Sequence, residues 1–445
     1  MKLEGKSLKK DFLKFILPSI AAQWVFALYT MVDGIFIARG VSETALTAVN
    51  ISMPFTMALF SISILFAIGT STVIAILLGQ GKGKEANRVF TQNIALLVIL
   101  SIIISVVVLI FLEPLALFLG ATKNTLPYVK EYIGTLAPMA FGFILSYSFE
   151  TLIKTDGFPK MATIIVIIGA LLNCVLDYFM VIVFKWGVFG AALATGISQI
   201  VVILFYLKHF LGKNGTIKFS KFKWDFPVIW REIKNGTSSG ITEMSTGITI
   251  FFFNQMILRY LGEEPLVSYT IISYMVSIIT MSMAGIAQGS QPLISYYHGQ
   301  GRRDRCQKLF RYSIVSVLVF STIAVGLCFL GANQVVGLFI SDQTSTLFTS
   351  SVAVFRIFSI SFLLVGYNVV IGGYFTSIEF PLYATIISLS RGLILIVLSL
   401  FILTSIFGGK GIWWASTLAE SLCLILSIRF LFLTRKKLAK YQNEA

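Results

Sequence analysis

Residues 79–90 read GQGKGKEANRVF, and residues 299–310 read GQGRRDRCQKLF. Both stretches begin with Gly-Gln-Gly, continue with basic residues and end in Phe. A second pair of similar stretches follows at a nearly equal spacing, FPKMATII at 158–165 and FPLYATII at 380–387. The two halves of the chain therefore repeat one structural plan.

The composition is that of a membrane protein. Of the 445 residues, 56% are hydrophobic and 12% are charged, whereas a soluble chain carries about 25% charged residues. Apolar runs of roughly 20 residues, the length that crosses a bilayer as a helix, recur along the chain. They predict an all-α polytopic protein with twelve spans, at about 12–37, 45–78, 90–112, 126–153, 161–183, 188–210, 228–260, 266–297, 308–331, 346–375, 381–405 and 411–433.

Basic residues separate by side of the predicted membrane. Lys and Arg gather at both termini and in the loops after even-numbered spans, with a large cluster between Lys208 and Lys234. The positive-inside rule makes this side cytoplasmic, so both termini are predicted inside the cell and the protein in the cytoplasmic membrane. Topology and contact with anionic lipid account for the net charge of +15, and no nucleic-acid partner is predicted. The opposite loops contain only Arg39, Lys123, Lys130, Lys185, Arg259 and Lys410.

Six spans in each half give the halves the same orientation in the membrane. We expect two lobes, residues 1–218 and 219–445, related by a pseudo-twofold axis along the membrane normal. Secondary transporters are commonly built in this way, with a binding site at the interface of the repeats. The alternative is a duplicated scaffold with another role. We expect a monomer that has no cofactor and is not an enzyme.

Polar groups inside the spans are the candidates for function. An acid at the bilayer centre costs about 2.5–3.5 kcal/mol, so a retained one usually faces a cavity or a partner. Asp33, Asp177 and Thr195 lie about 6, 9 and 10 Å below the outer ends of spans 1, 5 and 6, at 1.5 Å per residue. Asn173 lies one turn below Asp177 on the same face of span 5. These four side chains are predicted to meet at one height.

Two carboxylates, an amide and a hydroxyl suit either of two ions. They could coordinate a hard monovalent cation such as Na⁺, or the neighbouring acids could share a proton. The structural alternative is that Asp33 caps a loop and Asp177 bonds to adjacent helices. The repeat places Asn254 opposite Asp33 and Ser399 opposite Asp177, so the acids occur in one lobe only, which favours a functional role.

Other polar residues lie in the second half. Glu243, midway along span 7, is a candidate for contact with a cationic substrate, with Met244 supplying apolar contact and Asn254 as a further cavity candidate. A protonated Glu243 bonded to a neighbouring helix is the structural alternative. Arg391 and Glu420 have comparable depths and are predicted to form a structural ion pair, which Arg356 is expected to join.

The combined pattern resembles the multidrug and toxic compound extrusion (MATE) family, in its DinF-like and MepA-like branch. Besides residues 79–90, the resemblance rests on YTMVDGIFIARGVSETALTAVNIS (29–52), KTDGFPKMATIIVIIGALLNCVLDYFMV (154–181) and WGVFGAALATGISQ (186–199). It covers essentially the whole chain.

The resemblance implies a V-shaped fold of two six-helix lobes, and export of cationic or amphipathic compounds driven by inward flow of protons or sodium ions. The family's amino-lobe cation site corresponds to Asp33, Asn173, Asp177 and Thr195. Other members also use acids of the carboxyl lobe, and Glu243 is similar to the span-7 acid. Span 10 has Arg356 and no acid, which favours the amino lobe.

The predicted function is therefore cation-coupled multidrug efflux by alternating access, a cause of antibiotic resistance. The alternative is a flippase for lipid-linked oligosaccharides from the same superfamily, which should have a more basic cavity. A prenyl transferase would need Asp-rich diphosphate motifs, which the sequence lacks. A receptor or structural protein would not explain acids confined to one lobe of a repeat.

Overall fold

The computed structural model describes residues 7–212, 215–340 and 342–443. Helices make up 88% of the structure, and the described residues include no strand. Both termini are predicted to be cytoplasmic, and their ends, residues 1–6 and 444–445, lie outside the described residues.

Twelve long helical segments follow one another in the predicted order, with short helices at Leu112–Phe118 and Ala332–Gly337 between them. The predicted all-α fold of two six-helix lobes is confirmed. The segments are α1 (Leu8–Gly40), α2 (Glu43–Gly79), α3 (Gly83–Ile110), α4 (Leu126–Thr155), α5 (Pro159–Val183), α6 (Gly187–Leu211), α7 (Phe226–Leu261), α8 (Pro265–Gly299), α9 (Arg303–Leu330), α10 (Thr346–Ser377), α11 (381–407) and α12 (Ala415–Asn443).

Length and hydropathy agree with a protein that crosses the membrane many times. Ten helical stretches of the described chain are long and apolar enough to span a bilayer. The last of these, 381–434, contains both α11 and most of α12. α7 is long enough but is not among the ten, because Thr, Ser, Asn and Gln recur along its whole length.

The repeated Gly-Gln-Gly motif ends a helix in each lobe. Gly81 and Gly301 have φ angles of 77° and 71°, a region that glycine reaches without the steric cost of a side chain. The next residue, Lys82, donates its N–H to Leu77 O at 2.9 Å, and Arg302 donates to Tyr297 O at 3.0 Å. These bonds satisfy carbonyl groups at the ends of α2 and α8.

The described residues form two apolar cores, one in each lobe. The first is formed mainly by α2–α6 and includes Ile37, near the end of α1. The second is formed by α7–α12 and includes Phe12, Phe15 and Ile16, near the start of α1. The first transmembrane helix therefore packs in both lobes, and a change in its shape would act on both.

The linker between the lobes is bound to the first lobe. Lys218 N donates to Asn87 Oδ1 at 2.9 Å, and Ser220 N donates to Thr91 Oγ1 at 3.0 Å, both on α3. Buried Asp156 accepts from Thr216 N at 2.8 Å. The predicted lobe boundary at 218/219 remains a prediction.

The lobes touch near one end of the bundle, which we call the basic end because the turns at 80–82 and 300–302 and the linker lie there. α2 crosses α7 and α8 at this end with backbones in close approach, and we call this contact the seam. It holds the lobes together at the basic end, so the V opens toward the opposite end. In the seam, a methyl group on any of four glycines would overlap a carbonyl group of the facing helix: Gly69 against Glu232, Gly236 against Leu65, Gly79 against Tyr296 and Gly299 against Ile76.

The seam predicts a sharp effect of one methyl group. Gly236→Ala should force α2 and α7 apart and lower stability by about 1–3 kcal/mol, the usual cost of overpacking. Gly247→Ala is the matched control on the same helix, because no atom lies within 4 Å of its added carbon. A thermal melt of the purified protein in detergent checks this. Equal midpoints for the two variants would contradict the expected contact.

Candidate functional site

The end of α5 forms the centre of the candidate site. This helix is α-helical over Pro159–Asp177 and continues as a π-helical turn over Tyr178–Val183. Turns of this kind occur frequently at functional sites in helices. Asp177 is the last residue before the turn, and its side chain is 0% exposed.

Asp33 of α1 and Asp177 of α5 come together at this point. Their carboxyl groups are close enough to interact electrostatically. Both oxygens of Asp177 and Oδ1 of Asp33 are buried, and no described residue donates a hydrogen bond to them. Two ionised carboxylates can only accept, so the pair forms a hydrogen bond only when one of them carries a proton. The arrangement requires a proton or another cation to balance its charge.

Asn173 and Thr195 complete the set predicted from the sequence. Asn173 Nδ2 donates to Thr195 Oγ1 at 3.3 Å, and Thr195 Oγ1 donates to Ala191 O at 3.1 Å. Asn173 is 2% exposed, and its Oδ1 has no donor among the described residues. α1, α5 and α6 thus bring the four predicted side chains into one region, with several buried oxygens left unpaired.

A small cavity of about 50 Å³ lies beside this site in the first lobe. At one side it reaches Asn173, and at another it reaches Glu150 of α4. Glu150 forms a buried ion pair with Lys154 at 2.5 Å. The cavity thus adjoins both the candidate cation site and a charged group nearer the basic end. Its polar lining consists of Tyr29, Ser146, Tyr147, Glu150, Asn173, Ser198, Gln199 and Tyr206.

The unpaired oxygens define the chemistry of the site. Carboxylate and amide oxygens are hard ligands, of the kind that hard cations prefer. Asp33, Asp177 and Asn173 could hold Na⁺, with Thr195 as a neutral fourth oxygen. The described residues contain no group of three or more His, Cys, Asp or Glu side chains suited to a multivalent metal ion.

The three cavity candidates of the second lobe are spread along α7. Half-buried Glu243 is within electrostatic range of Tyr147 of α4, a residue of the first lobe. Met244 is 53% exposed. Half-buried Asn254 is eleven residues beyond Glu243, a rise of about 16 Å along a helix. Asn254 therefore does not share a compact site with Glu243.

Neutral residues between the lobes were missed from the sequence. Gln23 Nε2 of α1 donates to Gln288 Oε1 of α8 at 2.9 Å, and Trp24 Nε1 donates to Ser282 Oγ at 2.8 Å. A search for intramembrane charges cannot find such uncharged pairs. The sequence signal that was available is the occurrence of glutamine within apolar runs.

A polar network is buried in the second lobe. Arg391 Nη2 donates to Glu420 Oε1 at 2.9 Å. Asn368 Nδ2 donates to Glu420 Oε2 at 2.7 Å, and Ser427 Oγ donates to Asn368 Oδ1 at 2.9 Å. The geometry joins α10, α11 and α12, which suits a structural role.

Arg356 does not join this network as expected. Its Nε donates to Phe329 O of α9 at 3.2 Å, and its guanidinium lies 5.7 Å from the centroid of the Phe329 ring. Asn368, six residues after the second part of α10 begins at Phe362, bonds to Glu420 in the place that was predicted for Arg356. Depth estimated from sequence does not fix the direction in which a side chain points.

With this geometry established, comparison with known proteins identifies the family. The MatE family model matches residues 18–179 and 241–401. These two segments fall in the two repeats and cover most of the chain. This chain belongs to the MatE family. The family resemblance predicted from the sequence is confirmed.

Two curated relatives of this MatE protein are similar over nearly their whole lengths. The multidrug export protein MepA of Staphylococcus saprophyticus is 25% identical over 98% of this chain and 96% of its own. The protein of the same name from Staphylococcus aureus is 26% identical over the same shares of the two chains.

Solved structures of MATE transporters have the same fold. One, described as the outward-facing conformation of a multidrug resistance MATE family transporter of the MOP superfamily, aligns with a TM-score of 0.92 at 21% identity. The alignment covers 99% of this chain and 100% of the other. A MOP superfamily transporter from Pyrococcus furiosus aligns with a TM-score of 0.89, also at 21% identity, over 97% of both chains.

Proposed function

We propose that this protein exports cationic or amphipathic organic compounds across the cytoplasmic membrane in exchange for protons or sodium ions. The pairing of Asp33 with Asp177 carries the proposal, because two adjacent buried acids without a donor need a positive charge. Export of several drugs is further supported by the name of the two relatives, which are multidrug export proteins.

The fold supplies the conformational change that exchange requires. The seam closes the basic end, which we take as the cytoplasmic side by the positive-inside rule, and the V opens outward. In this state the acid pair binds a cation from outside. Neutralising the pair changes how α1 packs against α5, and α1 also belongs to the core of the second lobe. Cation binding on α1 thus biases both lobes, as coupling requires.

The substrate is proposed to bind between the lobes. Glu243 on α7 and Tyr147 on α4 are within electrostatic range of each other, and the Gln23–Gln288 pair lies beside Tyr147. A carboxylate next to aromatic and amide groups suits an organic cation with an apolar body. Such a site recognises positive charge and apolar surface and not one particular chemical group, which agrees with a broad range of substrates.

Export by proteoliposomes under imposed gradients tests the proposal and identifies the ion. Thr195→Val removes one oxygen ligand and keeps the shape of the side chain. If sodium drives export, this variant should raise the half-maximal sodium concentration about tenfold, the value of one lost ligand bond. If protons drive export, its pH profile should match that of wild type. Thr195→Ser, which keeps the hydroxyl, serves as the control in both cases.

Either result is compatible with the acid pair as the coupling site. Drug movement that responds to neither a proton gradient nor a sodium gradient would overturn the proposed exchange. Export that persists at the wild-type rate with both gradients collapsed would do the same.

A further inference from the structure

The seam contains a buried acid that plays no part in the cation site. Glu232 lies on the second turn of α7, and its backbone carbonyl meets Gly69 of α2. Its side chain is 0% exposed. This acid was missed from the sequence, because charged residues are ordinary in the basic stretch that begins α7.

The carboxyl group of Glu232 has no partner among the residues that the structure describes. Both its oxygens are buried without a hydrogen-bond donor. The Thr70 hydroxyl of α2 lies beside the carboxyl group, but it forms no hydrogen bond with any described residue. The adjacent cation, Arg231, is bound to Glu379 instead, through Nε at 2.5 Å and Nη2 at 2.8 Å.

The helices around Glu232 supply no other charge for it. α2 presents Thr70, and α8 presents Gln291, which bonds to Thr72 Oγ1 at 2.6 Å. Further along α8, His298 interacts with Arg231 and with Glu379, the loop residue before α11. Arg231 is thus the one charged group found to act on Glu232 within the described part of the chain.

The Arg231–Glu379 pair is itself firmly ionised. Burial alone would raise the pKa of the Glu379 carboxyl, but the hydrogen bonds and charge of Arg231, with a bond from Asn235, hold that pKa below its usual value. Arg231 therefore remains paired with Glu379 and is not a dedicated partner of Glu232. An ionised Glu232 would be a buried charge without a dedicated partner, which is strongly unfavourable.

In the alternation of the lobes that the proposed function requires, the same carboxyl would meet water when the seam opens. Gly69 faces Glu232 and Gly236 faces Leu65, so both glycines lie in the contact between α2 and α7 that would separate. Hydration removes the penalty on ionisation. A group that is neutral in one state and hydrated in the other binds a proton with different affinity in the two states.

We propose that Glu232 is a second proton-binding site, which holds a proton while the seam is closed and releases it at the basic end when the seam opens. The inference rests on the proposed function for the alternation of the lobes. It adds a site that faces the side opposite to the Asp33–Asp177 pair. Ionisation at this site would favour the open seam, and protonation would favour the closed seam.

Distance measurements across the basic end test the site without drug or gradient. Spin labels at Lys84→Cys on α3 and Lys308→Cys on α9 report the separation of the lobes in nanodiscs, in a chain whose four native cysteines are replaced. Between pH 5 and 9 the wild-type open population should rise, because each pH unit changes the ratio of ionised to neutral acid about tenfold. Glu232→Gln should stay mainly closed, with only the smaller pH response that the Asp33–Asp177 pair contributes.

Matched variants separate titration from packing. Glu232→Asp keeps an acid and should keep the pH response, and Glu232→Met is a second neutral variant that should resemble Glu232→Gln. Exposed Glu85→Gln should follow wild type. A wild-type profile in Glu232→Gln or Glu232→Met, or a flat profile in wild type itself, would overturn the proposed site.

The outcome is independent of the test of transport. If liposomes show no ion-coupled export but the seam responds to pH through Glu232, the proton site stands and the proposed function fails. If export is ion-coupled and the wild-type seam ignores pH, the proposed function stands and the proton site fails.

Discussion

Asp177→Asn is expected to reduce ion-driven export about a hundredfold, near the upper end of the coupling that two linked sites usually show. Asparagine has nearly the same size as aspartate, but its side chain stays neutral and cannot ionise. The variant would leave Asp33 without its buried carboxyl neighbour and would remove the difference in cation affinity between the two conformations. Uptake by inverted vesicles, with drug present and a proton or sodium gradient imposed, measures the loss.

A suitable control is Asp342→Asn. Asp342 lies in the loop before α10, where Thr344 hydrogen bonds hold the pKa of its exposed carboxyl below the usual value. Thr344 N donates to Asp342 Oδ1 at 3.0 Å, and an asparagine oxygen can accept the same bond. Export should match wild type in this control. Full ion-driven export by Asp177→Asn, at equal protein level, would remove Asp177 from the coupling site.

Glu420→Gln is expected to give the largest loss of stability. It leaves the guanidinium of Arg391 buried without its anion, and breaking a buried pair in this way costs about 3–5 kcal/mol. Asn368 also loses a charged acceptor, now at 2.7 Å. The free energy of unfolding in detergent micelles, followed by urea denaturation, measures the effect.

Two comparisons show whether burial is the cause. Glu113→Gln breaks the exposed Lys130–Glu113 contact of 2.6 Å, and surface pairs are worth about 0–1 kcal/mol. Combining Glu420→Leu with Arg391→Leu removes both charges, so the double variant should lose less than the sum of the two single changes. If Glu420→Gln lowers the free energy of unfolding no more than Glu113→Gln does, the buried charge of Arg391 does not need Glu420 for stability.

Much of the fold could be predicted because the evidence for it is local. Apolar length fixes the number of crossings, and the Gly-Gln-Gly turns at Gly81 and Gly301 mark equivalent helix ends. Six crossings in each repeat then require two lobes of the same orientation. The depth of Asp33, Asp177 and Thr195 follows from counting residues along helices that keep a constant rise. Height along the membrane normal is therefore readable from sequence.

Direction around a helix axis and contact between distant helices are not readable in the same way. Arg356 has a depth that suited Glu420, but it points to Phe329, and Asn368 fills the place. The α-to-π change after Asp177 and the passage of α1 between the two cores left no distinct pattern in the chain. Both depend on packing against partners far away in sequence.

The sequence by itself determined that this is a repeated, twelve-helix membrane protein in which Asp33 and Asp177 have no acidic counterparts in the second lobe, because hydrophobic length, charge and repeat spacing are properties of single segments. Only the tertiary structure decided that the carboxyls of Asp33 and Asp177 meet, that glycines close the seam, and that Glu232 is sealed inside it. The physical reason is that the solvation of a charge depends on which helices surround it, and that is set by packing between segments remote in the chain.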